Sequence, residues 1–252
     1  MHQFTFRRLT AAFVLSFLLV LSIPSHSNDN AINAIGFKPV QPSLNEDLVR
    51  QAPNLNRVVL DKAIAAMTCA VNHGIERASR LAIIDFSLPS SEPRLWIFDL
   101  DSRSLILEEL VAHGRNSGDN VASKFSNVEG SHKSSIGLFR ASESYIGRHG
   151  YSLRMDGLEP GINDRARERA IVIHGADYVN NQWIKQHGRI GRSHGCPAVS
   201  RDVADQVVDI LKDGQFVFSY YPDDKWLASS PYLNCQPERV AAIVAPLKNS
   251  GS

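Results

Sequence analysis

From residue 81 onward the chain alternates short apolar runs with polar breaks. Residues 81–86, 94–100 and 105–112 are rich in Ile, Leu, Val and Phe, and each predicts a strand. Asp101-Ser102-Arg103-Ser104 predicts a hairpin loop between the second and third. Residues 114–133 are polar and rich in Ser, Asn and Gly, the composition of a surface loop. Strand-like runs resume at 136–140, 151–155 and 170–174, and 215–221 gives a last strand, ended by Pro222. A three-and-four spacing marks the helices. Leu55, Val58, Val59, Ala63, Ala66, Met67 and Ala70 predict a helix from an Asn54 cap to about Asn72, with Gly74 as its C′ residue. A shorter helix is predicted over 44–50. In 201–211, Asp202, Asp205 and Asp209 alternate with Val203, Val207, Val208 and Ile210, which predicts an amphipathic helix ended by Gly214. The pattern is that of a mostly β (α+β) domain over 80–222. A helical segment, 28–79, precedes it, and a tail, 223–252, carries no predicted element.

Residues 1–27 differ in composition. Arg7 and Arg8 precede an apolar run from Ala11 to Ile23, and the small-residue stretch Ser25-His26-Ser27 follows. That order predicts a secretory signal peptide, with export to the periplasm or cell envelope. The run is shorter than the ~20 residues of a membrane-spanning helix, so no stable span is expected after cleavage. The uncleaved-anchor reading stays open. The 252-residue chain carries a formal net charge of +1, which gives no electrostatic case for nucleic acid. Export also changes the reading of the three cysteines, because an odd number in an oxidising compartment leaves one unpaired. If Cys196 is the free thiol, Cys69 and Cys235 are the candidate disulfide, the alternative being two buried, inert thiols.

The chemistry concentrates in Ser193-His194-Gly195-Cys196-Pro197 and, about twenty residues upstream, Ile173-His174-Gly175. A free thiol is mostly protonated at neutral pH, and a neighbouring imidazole makes it a nucleophile by taking the proton. His174 ends an apolar run, where a strand delivers a polar side chain to a cleft, and is the preferred general base. His194 is a neighbouring polar or substrate-contacting group. Gly175 would let backbone approach a substrate, and the N–H groups of Gly195 and Cys196 are candidate oxyanion donors. A metal set of His174, His187, His194 and Cys196 lacks the close paired spacing of known zinc motifs and is set aside. His113, His132 and His149 are scattered in polar segments and read as surface groups. Nothing in the chain calls for a cofactor.

These residues resemble the L,D-transpeptidase (YkuD-type) motif, in which an upstream His-Gly precedes Ser-His-Gly-Cys. The resemblance is to the variant in which Pro-Ala-Val follows the cysteine, as Pro197-Ala198-Val199 does here. It covers roughly residues 80–222, including Ser135-Ile136-Gly137-Leu138-Phe139, which is similar to a strand near that family's active site. It implies a β-sandwich or barrel-like catalytic domain with one C-terminal helix. It also implies peptidoglycan stem peptides as substrate and inhibition by carbapenem-type β-lactams. Carried over by position, Cys196 is the nucleophile, His174 the general acid/base, and Ser193, His194, Gly195 and Gly175 line the oxyanion site and cleft. Many members carry Arg or Asn where Ala198 stands, and a hydroxyl residue where Ala176 stands. A backbone carbonyl or Asp177 is the candidate to orient His174, and Arg192 to replace the missing cation. Two other readings remain: an L,D-carboxypeptidase or endopeptidase with water as acceptor, and a non-catalytic wall-binding module.

Overall fold

The computed structural model describes residues 42–249, which belong to one compact unit. The expected signal segment, 1–27, lies outside the described residues. In chain order the elements are α1 (Leu44–Gln51), α2 (Arg57–Asn72), β1 (Arg80–Asp85), β2 (Leu95–Asp99), β3 (Ser104–Glu109), β4 (Gly137–Gly147), β5 (Gly150–Gly157), β6 (Val172–Ala176), α3 (Asn181–His187), β7 (Ala198–Ser200), α4 (Arg201–Leu211), β8 (Phe216–Tyr220), α5 (Asp224–Ser229) and α6 (Pro237–Asn249).

The strands form one mixed sheet in the order β3-β2-β1-β8-β4-β5-β6-β7. β1 pairs with β8, and β6 with β7, in parallel; the other neighbours are antiparallel. Beyond β3, the Ala112 N–H donates to the Ala198 carbonyl of β7 at 2.8 Å. That bridge brings the two edges together, so the sheet is nearly closed into a barrel and little edge is left unpaired. It also lays the chain around residues 112–114 against the loop that precedes β7.

Burial explains the apolar runs. Leu81, Ala82, Ile83 and Ile84 of β1 are all buried, because both faces of that strand are covered. α2 covers the sheet with Val59, Leu60, Ala63, Ala66 and Ala70, and α4 with Ala204, Val207, Val208 and Leu211. Asn56, rather than Asn54, caps α2 by accepting from the Val58 N–H.

Four differences from the sequence pattern have local causes. β4 runs on to Gly147 because the polar Ser144 and Tyr145 pair with β5 across a bulge, which carries a hairpin out to the Arg148–His149 turn. β7 has only three residues, too few to show a period. α3 is short but well marked: the Asn180 side chain accepts from the Trp183 N–H, and Gly188 ends it with φ +72°. The tail expected over 223–252 holds α5 and α6. Trp226, Tyr232, Val240 and Val244 join the main core, but too sparsely, around Pro231 and Pro237, to form an amphipathic run. Cys235, just before α6, is joined to Cys69 of α2 by a disulfide with a Cα–Cα distance of 5.5 Å.

Candidate active site

Parallel pairing of β6 and β7 sets His174 opposite Ala198, which returns residues 193–196 to the stretch just ahead of His174. Cys196 lies there, its thiol donating to the Ala170 carbonyl at 3.6 Å. Cys196, Ser193, His194 and His174 line one cleft of about 760 Å3.

The loop that carries Cys196 is held from three sides. Within it, the Gly195 N–H donates to Ser193 Oγ at 3.0 Å, and Ser193 Oγ donates to the Cys196 carbonyl at 2.6 Å. From the 113–115 segment, the His113 carbonyl accepts the Ser193 N–H at 2.9 Å. From below, Ser134 Oγ donates to the Gly195 carbonyl at 3.1 Å and accepts the Gly114 N–H at 2.9 Å. Gly195 has φ +126°, and a Cβ there would lie 2.8 Å from the Lys133 carbonyl oxygen, so glycine is required on two counts. One expectation changes as a result. The Gly195 N–H is taken by Ser193, whereas that of Cys196 faces its own sulfur, so only the latter of the two expected oxyanion donors is uncommitted. At Gly175 a Cβ would lie 2.9 Å from Ala204 Cβ of α4, so packing against that helix asks for glycine there.

His174 is 3 % exposed, and its Nδ1–H donates to the Gly175 carbonyl at 3.0 Å. That bond leaves Nε2 as the proton acceptor. Asp177 is engaged by Arg201 at the surface, so the backbone carbonyl is what orients the imidazole. Arg192 lines the cleft while donating to the Gly118 carbonyl at 2.9 Å and pairing with Asp119 at 3.3 Å. His187, on α3, hydrogen-bonds its own helix at the Trp183 carbonyl and stacks on Trp183, outside the cleft lining.

The three histidines read as surface groups are not scattered. His149, on the β4–β5 turn, stacks on His174 with ring centroids 4.4 Å apart, and His132 stacks on His194 at the same separation. These pairs join positions far apart in the chain, so no local pattern announces them. His113 is fully buried. It accepts from Arg94 Nη2 at Nδ1 (2.8 Å), and Arg94 in turn donates to the Val111 and Leu88 carbonyls. The Arg94–His113 pair therefore braces the segment that holds Ser193.

The electrostatics differ from a preformed ion pair. Burial pushes the Cys196 thiol up, against the Val172 backbone N–H and the Arg169 charge, which favour the anion. Burial also holds His174 below its ordinary value, despite the Gly175 carbonyl, with His149 and Arg201 adding in the same direction. Both shifts oppose a preformed thiolate–imidazolium pair, where the sequence alone suggests a thiolate. Burial, then the Arg94 charge, pushes His113 down to about 4. Its folded value is lowered, so the unfolded chain binds the extra proton between pH ~6.5 and ~4. The stabilisation is complete above that window and is lost as pH falls through it, by roughly 3 kcal/mol. Thermal melts from pH 7 to 4 should show this loss, and His113→Gln should flatten it; an unaltered pH slope would assign the loss elsewhere.

Residues 51–220 match the family model described as the L,D-transpeptidase catalytic domain. Among solved structures, the chain is similar to an L,D-transpeptidase from Mycobacterium smegmatis at 15 % identity, covering 57 % of this chain and 59 % of that one, with a TM-score of 0.35. It is similar to an L,D-transpeptidase from Stackebrandtia nassauensis at 14 % identity, covering 74 % and 72 %, with a TM-score of 0.37. An L,D-transpeptidase in complex with imipenem is 14 % identical over 56 % and 59 %, with a TM-score of 0.34. The chain spans about three fifths of the length of the first of these. None of the curated proteins compared with the chain matches it.

Proposed function

Because the chain belongs to the L,D-transpeptidase catalytic domain family, we propose that it transfers peptidoglycan stem-peptide acyl groups through a thioester on Cys196. The observation that carries this reading is the single cleft lined by the Cys196 sulfur and a His174 whose Nδ1–H is tied to a backbone carbonyl, leaving Nε2 to accept a proton. In the first half-reaction the Cys196 proton moves to His174 Nε2 as the sulfur attacks the carbonyl that links an L-centre to the terminal D-residue. The C–N bond then breaks, and His174 returns the proton to the departing amine. In the second half an amine of another stem attacks the thioester and gives its proton to His174, the C–S bond breaks, and His174 returns that proton to the departing Cys196 sulfur. Two neutral partners make proton transfer part of the attack, so the acylation rate should rise with pH through the lowered His174 value and be flat near neutrality.

Export supports the substrate assignment. The order of residues 1–27 is that of a signal peptide, and a Cys69–Cys235 disulfide suits an oxidising envelope. Among the described residues no helix is long and apolar enough to cross a membrane. Product analysis on purified stem-peptide dimers and monomers tests the acceptor. New crosslinks between two L-centre/D-centre residues are expected; shortened stems alone would move the assignment to the carboxypeptidase reading, and neither product would refute acyl transfer.

A further inference from the structure

We propose, resting on the acyl-transfer reading above, that Arg169 is the counter-ion of the Cys196 thiolate, a positioning residue that favours the anion while His174 takes its proton. Arg169 directly precedes Ala170, whose carbonyl receives the thiol, and both residues line the cleft with Cys196. Its guanidinium is spent on neutral oxygens. Nη1 donates to the Ser126 carbonyl and to Ser135 Oγ, and Nη2 to the Lys133 carbonyl at 2.7 Å and to Ser131 Oγ at 3.3 Å. Among the described residues it makes no salt bridge, and its buried Nε has no partner. A partly buried cation without a carboxylate is costly unless an anion forms beside it. The anion within its field is the one the reaction creates: Cys196 is the group that favours the charged form of Arg169, against burial and Arg165.

The same side chain holds the surface on which the nucleophile rests. The Lys133 carbonyl it fixes is the atom that a Cβ at Gly195 would strike. Charge and loop support therefore come from one residue, and the experiment must separate them. The other groups facing Cys196 are His194 and Arg192 on its own loop, His174 on β6, Tyr145, Arg148 and His149 on the β4–β5 hairpin, and Tyr178 after β6. None of these is altered in the variants that test the counter-ion.

The test is the pH dependence of Cys196 alkylation by iodoacetamide on the full chain with its disulfide intact. Arg169→Gln keeps amide donors for the loop but no charge; its inflection should rise by about one pH unit and its rate at pH 7.5 fall about tenfold. Arg169→Lys should restore the wild-type inflection. Ser135→Ala, which loosens the loop and keeps the charge, should leave the inflection in place. An unmoved inflection in folded Arg169→Gln, or a Lys variant that behaves as Gln does, overturns the proposal. Should the Gln variant not fold, the wild type still decides: the Arg169 side-chain nitrogen resonance must titrate with the Cys196 inflection, and a resonance that ignores it refutes the counter-ion. Alkylation needs no peptide substrate, so a shifted inflection in a protein that yields neither crosslinks nor shortened stems would sink the acyl-transfer reading and leave this inference standing.

Discussion

Cys196→Ala is expected to reduce stem-peptide acyl transfer to background, and His174→Gln to lower it by about 10²- to 10⁴-fold. The double variant should be no worse than Cys196→Ala alone, because groups that act as one unit lose their effect together. The resting electrostatics make the histidine effect large. Burial pushes the thiol up and the imidazole down, so both shifts work against a standing thiolate and make the sulfur depend on Nε2 at the moment of attack. Glutamine can still donate to the Gly175 carbonyl, but offers no basic nitrogen in place of Nε2. Steady-state rates on defined stem peptides check this. A His174→Gln variant within tenfold of wild type would mean that another group, such as His149 stacked on His174, takes the proton.

Breaking the Cys69–Cys235 disulfide should produce the largest change in stability. The two cysteines are 166 residues apart, and a link closing a loop of that length restricts the unfolded chain by about 5 kcal/mol in the chain-entropy model. For a domain of this size that corresponds to a fall of roughly 10–20 °C in Tm. The bond ties α2, which covers the sheet from one side, to the segment that launches α6. Melting curves before and after reduction, with thiol counts confirming one and three free sulfhydryls, measure the effect. Cys196 should keep its reactivity in the reduced protein while it remains folded, since neither half-cystine lines the cleft. An unchanged Tm on full reduction would show that the helices alone hold the tail.

The loop that carries Cys196 was readable because its contacts are local. Ser193, Gly195 and Cys196 fix one another through bonds that span two or three residues, and glycine at 195 answers a φ no other residue adopts cheaply. Most strands were also legible, since β1, β2 and β8 are unbroken apolar runs buried on both faces. What stayed hidden depends on the third dimension. His132 meets His194, and His149 meets His174, only after the barrel closes and the β4–β5 hairpin projects over the cleft. Arg94 and His113 sit in segments that look like strand end and loop, yet both are fully buried and brace Ser193. Arg169 had no local signal, since its place one residue before the carbonyl that receives the thiol shows only in the fold. Burial of the Cys196 thiol was hidden for a related reason: it pushes the thiol up, against the neighbouring groups that favour the anion, and the sequence does not show it.

The most direct test is the intact mass of the folded protein, its disulfide intact and Cys196 a free thiol, after exposure to a carbapenem. Attack of the Cys196 sulfur on the β-lactam carbonyl, which forms a thioester and breaks the ring C–N bond, should add one drug equivalent to the wild type, on the peptide that contains Cys196, and add nothing to Cys196→Ala. A wild type that gains no mass, or gains it on a peptide without Cys196, would contradict the assignment of this sulfur as the acyl carrier.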